Sequence, residues 1–279
     1  MKKRSKCLLP ILLAAGTASL LSQTPAAAPE LSDAEKEAFL KDAKVFQRRD
    51  ISVGVTGTKR FTLEKNGLRH DAHIQTVNIS KPEFRSDRGV ELNFRDTYKF
   101  NIAAYRLSRL LGLNMMPVTI ERKVDGASAS VAWWIDNAMM EGERKKKNLE
   151  PPDQDAWNRQ MYCVRVFDEL IYDMDPNLGN FLIDRNWKLW MVDKTRAFRL
   201  MPSLKTPQNL VKCDRTVLAG LRRLDEPTLT KEMASYLTKS EVKALLQRRD
   251  KIVKFFDDEV AKKGESAVLF DLPKHALLQ

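Results

Sequence analysis

Apolar and polar residues alternate in three short stretches near the start of the chain. The stretches are residues 51–55, 60–63 and 72–77. A period of two is typical of strands with one buried face. Turn residues separate them, at Gly54, Gly57 and Asn66-Gly67. The pattern therefore predicts three antiparallel strands.

A helical period follows these strands. Apolar residues recur at helical spacing over residues 97–111, with Asp96 as the N-cap candidate and Gly112 as the stop. The alternation then returns at residues 116–123 and 128–135, which predicts two further strands. One helix is thus expected between the third and fourth strands of a five-stranded sheet.

The second half of the chain is predicted to be mainly helical. Residues 141–153 are charged and proline-rich, which indicates a surface excursion, and helical spacing resumes at residues 157–171. Later helices are predicted at residues 215–224, 231–236 and 240–263, the last with Ser240 as its N-cap. Residues 32–49 are charged with irregular apolar positions, which predicts a surface stretch. The fold class is α+β.

The first 28 residues have the pattern of an export signal. Four basic residues, Lys2, Lys3, Arg4 and Lys6, precede an apolar stretch, and alanines follow at positions 26–28. The apolar stretch is shorter than the ~20 residues that a membrane span needs. We therefore expect a signal peptide at residues 1–28, an N-terminal extension at residues 29–50, and export to the periplasm or the exterior.

Charge and cysteine content narrow the function classes. Loss of the four basic residues lowers the formal net charge from +11 to +7, which leaves contact with an anionic surface open. The basic block at residues 144–147 predicts a solvated loop, and no nucleic-acid binding is expected because no aromatic residues interleave with it. Cys163 and Cys213 remain after export, with their pairing open, and no Cys/His spacing of the zinc type occurs.

Candidate chemistry concentrates in a predicted hairpin. Residues 181–183 and 189–192 are apolar and β-prone, with a turn at residues 185–187. If Ile183 pairs with Trp190, Asn180 faces Asp193 at about 5 Å between Cβ atoms. Asp175 lies on the loop that enters the first strand.

Two carboxylates and an amide oxygen are ligands for Mg²⁺, and the bound Mg²⁺ in turn holds nucleotide phosphates. The sequence therefore indicates phosphoryl transfer at Asp175, Asn180 and Asp193. The alternative is that these residues simply cap the hairpin, since Asp and Asn are ordinary turn residues.

Three segments resemble the atypical kinase superfamily that includes secretory-pathway casein kinases, bacterial persistence-toxin kinases and phosphoinositide kinases. Residues 101–118 are similar to its helix and following strand, residues 167–180 to its catalytic loop, and residues 190–198 to its metal-binding strand end. The resemblance implies a bilobal, protein-kinase-like fold. The small antiparallel β lobe with one helix would span residues 51–136, and the larger, mainly helical lobe residues 137–279.

The resemblance also implies roles for individual residues. Asp175 would orient or deprotonate a substrate hydroxyl, and Asn180 and Asp193 would hold Mg²⁺, or Mn²⁺ in its place, on ATP. The implied nucleotide contacts are Gly54, Gly57, Gln75, Asn101, Trp134 and Ile135. A plain β-turn at the two glycines and a buried aromatic pair at Trp133-Trp134 remain the alternatives.

Two departures from the family pattern concern charge. Gln75 stands where the superfamily places a lysine, and Asn101 where it places the glutamate that holds that lysine. An amide pair can still form hydrogen bonds but brings no positive charge to a phosphate. Lys194, Lys81 and His73 are the candidates for supplying that charge.

Two hypotheses of different class follow. The intact Asp175, Asn180 and Asp193 set favours an exported kinase that phosphorylates a hydroxyl of a protein, lipid or glycan. The lost Lys/Glu pair favours a pseudokinase that binds a nucleotide or a partner without turnover. The sequence leaves the oligomeric state open.

Overall fold

A computed structural model describes residues 31–50, 59–86, 89–273 and 276. The expected signal peptide and the strand expected at residues 51–55, with Gly54 and Gly57, lie outside the described residues. No helix in the described ranges is long and apolar enough to span a membrane. Ser32 and the described residues after it belong to one compact unit.

The strands are β1 (Lys44–Asp50), β2 (Lys59–Lys65), β3 (Leu68–Gln75), β4 (Asn78–Ser86), β5 (Gly89–Thr97), β6 (Thr119–Val124), β7 (Ala127–Trp133), β8 (Met139–Met140), β9 (Phe181–Ile183), β10 (Leu189–Met191), β11 (Cys213–Asp214) and β12 (Leu269–Phe270). The helices are α1 (Asp33–Asp42), α2 (Tyr98–Leu110), α3 (Glu141–Lys146), α4 (Gln154–Ile171), α5 (Arg215–Arg223), α6 (Glu226–Met233), α7 (Lys239–Lys263) and α8 (Glu265–Val268).

Five antiparallel strands form the main sheet in the order β1-β2-β3-β7-β6. The predicted strands β2 and β3 are confirmed, and each buries its alternate apolar residues. These are Phe61 and Leu63 of β2 and Ala72 and Ile74 of β3. An antiparallel sheet followed by a mainly helical region confirms the α+β class.

The stretch at residues 32–49 was wrongly predicted to lie on the surface without a core helix. Ser32 and Glu35 form a capping box that starts α1, and Phe39 and Leu40 are buried. Residues 44–50 then form β1 and pair with β2. The signal was weak because α1 buries only two adjacent side chains and has no repeating apolar stripe. The predicted domain boundaries stay a prediction.

Between β3 and α2 the chain forms a hairpin, β4-β5, that the sequence pattern did not predict. Phe84 and Phe94 stack at 4.3 Å between ring centroids, whereas Val90 and Leu92 are exposed. Asn93 has a φ of 53°, so the strand kinks there. Charged residues occupy many of the positions where an apolar alternation would have shown a strand.

Helix α2 confirms the predicted helix, with a different cap. The Thr97 side chain accepts a hydrogen bond from the Lys99 amide, so Thr97 and not Asp96 is the N-cap. An apolar stripe including Phe100, Ala103 and Leu107 is fully buried.

The helical half contains the predicted helices α4, α5 and α7 and one that was not expected, while the helix predicted at residues 231–236 forms earlier, as α6. The charged stretch at residues 141–153 begins with α3, where Arg144 is buried. Its guanidinium donates to both carboxylate oxygens of Glu141, at 2.7 and 2.9 Å, and lies over Trp157. The solvated-loop prediction was therefore wrong for Arg144, because an ion pair stabilises the buried charge. The N-cap of α7 is Thr238, not Ser240.

Strands β11 and β12 form a short parallel pair. Strand β11 directly precedes α5, and β12 directly follows α8. Asp214 caps α5 by accepting from the Val217 amide at 3.0 Å, and its second oxygen accepts from the Leu272 amide at 2.7 Å. Burial raises the pKa of Asp214. Cys163 and Cys213 are both buried free thiols.

Gly220 of α5 lies against the backbone of Leu111, the C-cap of α2. A Cβ added at Gly220 would lie 2.9 Å from the Leu111 Cα. We expect Gly220→Ala to lower the free energy of unfolding by about 1–3 kcal/mol, although alanine is normally favoured by about 1 kcal/mol inside a helix. Urea unfolding measures the difference.

Gly142→Ala is the matched control, since its Cβ would lie 3.7 Å from the Leu178 Cβ, an ordinary contact. We expect no loss there. A Gly220→Ala protein as stable as the wild type would contradict the close contact.

Candidate active site

The hairpin that carries the candidate residues exists, but its register differs from the prediction by one residue. Ile183 pairs with Leu189, not with Trp190. Asp184 sets the shorter turn, because one of its oxygens accepts from the Asn186 and Lys188 amides and the other from the Trp190 indole. Asn180 is therefore not directly opposite Asp193.

The candidate residues nevertheless meet through the Asn180 side chain. Its amide nitrogen donates to the backbone oxygen of Asp175 at 2.9 Å and to that of Asp193 at 3.4 Å. The Val192 amide donates to the Asn180 backbone oxygen at 2.9 Å. Asp193 then turns the chain with a φ of 49°. The loop and the end of β10 are thus joined at one buried amide.

The carboxylates around Asn180 influence one another. Burial raises the pKa of Asp193, the charges of Asp96 and Asp175 raise it further, and a hydrogen bond from the Thr195 hydroxyl opposes the shift. Asp175 is only partly buried, and its amide donates to the Asp173 carboxylate at 2.9 Å. A concentration of negative charge in a desolvated place is favourable for a cation.

Lys194 is fully buried directly after Asp193. Its Nζ donates to Asp168 at 2.9 Å and to Asp173 at 2.6 Å. Burial opposes the ammonium charge, but the two carboxylates outweigh burial and raise the pKa of Lys194. The ammonium group is therefore bound to these two carboxylates and is not positioned to replace the missing lysine.

The two amides at the Lys/Glu positions both lie beside Ser130. Gln75 is fully buried and faces Ser130 across the β3-β7 ladder. Asn101 donates to the Ser130 hydroxyl at 3.3 Å, and its oxygen accepts from the Lys194 amide at 2.6 Å. Asn101 thus connects α2 to the segment after Asp193. A direct Gln75–Asn101 contact stays a prediction.

The other two candidates for the missing charge lie on β3 and β4. Burial lowers the pKa of His73 to about 4, so its imidazole is neutral at pH 7. Lys81 lies on β4 with its Nζ 5.5 Å from the centre of the Phe84 ring.

Positive charge that the sequence reasoning missed lies in the segment after Asp193. Arg196 and Arg199 both form ion pairs with Glu91 of the β4-β5 hairpin. The two arginines lie within or beside the segment that carries the family resemblance, so their spacing from Asp193 could have indicated them. Glu91 could not be found in this way because its hairpin was not predicted.

The residues expected near adenine have different surroundings. Trp134 is partly buried beneath the Arg60 guanidinium, at 4.2 Å, and Arg60 also pairs with Asp71. Trp133 stacks on His70 at 3.7 Å. Ile135 is partly buried and follows Trp134 after the end of β7. Adenine contact at Trp134 and Ile135 stays a prediction.

The donor set fits a hard divalent cation in its chemistry. Within the described ranges no group of three or more His, Cys, Asp or Glu side chains is arranged to hold a metal ion. The candidate set has two carboxylates and one amide oxygen, which are ligand types that Mg²⁺ accepts. Near them, one Asp96 oxygen is buried and has no hydrogen-bond partner within the described part of the chain. A cavity of about 510 Å³ between α5 and α7 shares no residue with this set.

Comparison with known proteins identifies the fold. No protein-family model and no curated protein matches the chain. The crystal structure of the Golgi casein kinase superposes with a TM-score of 0.60 at 14% identity, covering 87% of this chain and 79% of that one. A Helicobacter pylori proinflammatory kinase, CtkA, gives a TM-score of 0.48 at 10% identity, covering 82% of this chain and 94% of that one. The first likeness shows an atypical-kinase-like, bilobal α+β fold, as the resemblance implied.

Lys194→Met should be strongly destabilising. The substitution leaves Asp168 and Asp173 as buried charges without their ammonium partner. Removal of one partner of a buried ion pair costs about 3–5 kcal/mol, and denaturant unfolding measures it. Lys146→Met, at an exposed position of α3, is the control and should change stability by less than about 0.5 kcal/mol. Equal effects of the two substitutions would contradict a structural role for the Lys194 charge.

His73 should make stability depend on pH. The unfolded chain binds a proton at this imidazole below about pH 6.5, and the folded chain does so only near pH 4. The free energy of unfolding should therefore fall as the pH is lowered through this window. In His73→Gln that fall should be shallower by up to about 1.4 kcal/mol per pH unit.

Paired urea titrations at pH 4.5, 5.5, 6.5 and 8 test this. Between pH 6.5 and 8 the difference between the two proteins should change by less than about 0.5 kcal/mol, because only the half-protonated imidazole of the unfolded chain titrates in this range. Parallel curves across the whole range would show that the imidazole titrates normally in the folded chain.

Proposed function

We propose that this protein is an exported atypical kinase that uses Mg-ATP to phosphorylate a hydroxyl group. The observation that carries the proposal is the Asn180 amide, which joins the backbones of Asp175 and Asp193 on an atypical-kinase-like fold. This arrangement keeps two partly buried aspartates close to one amide.

Each residue has a role that follows from its surroundings. Asp175 is partly exposed on the loop before β9, so it would accept or orient the proton of the substrate hydroxyl. Asn180 and Asp193 would hold Mg²⁺, or Mn²⁺, which neutralises phosphate charge when bound. Lys194 would keep the Asp175 loop in place through Asp173, whose carboxylate accepts from the Asp175 amide.

A second candidate function rests on Gln75 and Asn101. A neutral amide at the position of the phosphate-binding lysine is a weaker donor, worth about 1 kcal/mol against about 1.5–3 for a charged one. This substitution supports a pseudokinase that binds a nucleotide or a partner without turnover. We favour the enzyme because the residues that would perform the chemistry are intact.

The substrate class and the location are part of the proposal. The N-terminal pattern supports export, and the kinase-like fold supports a hydroxyl-bearing substrate. A hydroxyl of a protein, a lipid head group or a glycan fits this chemistry, and the formal charge of +7 on the mature chain is compatible with an anionic surface.

Nucleotide binding and phosphate transfer can be measured separately on the purified protein. We expect Mg-dependent ATP binding by calorimetry, and autophosphorylation or ATP hydrolysis in a radiolabel assay. Asp193→Ala should weaken Mg-dependent binding at least about tenfold, since it removes a charged ligand. Asp175→Ala should abolish transfer and keep binding within about threefold, because its role concerns the hydroxyl.

Asp155→Ala, at an exposed position in the first turn of α4, is the matched control and should retain both activities. Binding without transfer in the wild type would favour the pseudokinase. A melting temperature that does not change in millimolar Mg-ATP would reject the enzyme and a nucleotide-binding pseudokinase, since a ligand at 100 times its Kd adds about 2.7 kcal/mol.

A further inference from the structure

The β4-β5 hairpin contacts the segment after Asp193 through one acidic residue. Glu91 lies on β5, and one of its oxygens accepts from Arg196 at 2.7 Å. Its other oxygen forms an ion pair with Arg199. A single carboxylate therefore bridges two arginines that lie three and six residues after Asp193.

The fit between this carboxylate and the arginines is incomplete. The Arg199 side chain is only 8% exposed, yet its Nε finds no hydrogen-bond acceptor among the residues that the structure describes. The Nε of Arg196 is also buried and, in the described part of the chain, has no acceptor. The Glu91 oxygen beside Arg199 is also buried, and within the described ranges no donor is aligned with it. Buried donors and acceptors without partners are uncommon and often mark a place for a ligand.

The charges around Arg199 restrict what this ligand can be. Burial lowers the pKa of Arg199, Glu91 and Asp96 raise it, and Arg196 and Arg95 lower it. Arg95 has its own partner in Glu241, at the start of α7. Arg196 and Arg199 therefore share Glu91 as their ion-pair partner, and only an anion can take its place.

The arginine pair is connected to the candidate active site through the backbone. The Met174 amide, one residue before Asp175, donates to the Arg196 backbone oxygen at 3.3 Å. On the other side, the Thr97 amide at the end of β5 donates to the Thr195 backbone oxygen at 3.0 Å. A group bound by the two arginines would thus lie in the same region as the Asp175 loop.

We propose that Arg196 and Arg199 form a binding site for a phosphate group, and that the Glu91 carboxylate occupies this site when no phosphate is bound. Guanidinium groups bind phosphate through paired N–H donors. A phosphate group offers three oxygens and nearly two negative charges, where Glu91 offers two oxygens and one. The additional oxygen supplies acceptors for the Nε groups that lack one.

The proposal rests on the proposed function only for the origin of the phosphate, which is a nucleotide or a phosphorylated hydroxyl. It also gives the site a source of positive charge that Gln75 does not provide. The Glu91 carboxylate must leave the arginines before a phosphate binds, so a side chain of the β4-β5 hairpin closes the site until then.

Pyrophosphate binding without any metal tests this site on the full chain, by calorimetry at low ionic strength. Glu91→Gln should bind pyrophosphate about tenfold more tightly than the wild type, since it removes a competing charge. Arg196→Gln should bind pyrophosphate about tenfold more weakly than the wild type. The double variant Glu91→Gln/Arg196→Gln should bind it about tenfold more weakly than Glu91→Gln. Glu83→Gln, on the partly exposed β4 strand of the same hairpin, is the matched control and should leave the affinity unchanged.

The outcomes are separable from those of the kinase assay. Metal-free pyrophosphate binding that weakens in Arg196→Gln would support the phosphate site even if the wild type transfers no phosphate in the kinase assay. Competition with ADP and with phosphoserine then identifies the origin of the phosphate, because the natural source displaces pyrophosphate at the lower concentration. Equal affinities in the wild type, Glu91→Gln and Arg196→Gln would overturn the proposal. If Glu91→Gln does not fold, as judged by circular dichroism, the comparison of the wild type with Arg196→Gln decides alone.

Discussion

The buried ammonium of Lys194 is the interaction on which the arrangement of the site depends. It binds Asp168 of α4 and Asp173 of the following loop, and its own backbone amide donates to Asn101 of α2. One residue therefore fixes the distance between the long helix, the loop and the helix beside the sheet. Two charged partners for one buried cation leave few alternative packings, because any other arrangement would leave a charge unpaired in the protein interior.

A second buried cation restrains the same region from the other side. Arg248 of α7 is fully buried and donates to three backbone oxygens, those of Leu170, Arg199 and Met201. Desolvation lowers its pKa to about 10, so it stays protonated at neutral pH. The segment that begins at Asp193 is thus held at its start by Lys194 and at its end by Arg248. Its conformation is set by the large helical region, while its arginine side chains face the β4-β5 hairpin.

Much of the fold could be predicted from local patterns, and the failures have a common physical origin. Strands β2, β3, β6 and β7 and the long helices had periods that were visible in the sequence, whereas β1 did not. The β4-β5 hairpin, α1 and α3 depend on ion pairs, caps and stacked rings, as at Arg144 and Phe84, and these leave no apolar period.

The site was found because Asp175, Asn180 and Asp193 lie close in sequence to one hairpin. The exact register of that hairpin could not be predicted, because a single side chain, Asp184, selects the turn. The Glu91–Arg196 contact joins residues 105 positions apart, and no local pattern reveals such a pair.

The carboxylate of Asp214 has a consequence for how the chain unfolds. One of its oxygens completes the first turn of α5, and the other receives the amide of Leu272, 58 residues later. If the segment at Leu272 were to detach by itself, the buried Asp214 carboxylate would lose one of its backbone hydrogen bonds while the helix start remained in place. Peeling of that segment is therefore coupled to fraying of a helix distant in sequence, and the two belong to one cooperative unit in hydrogen exchange.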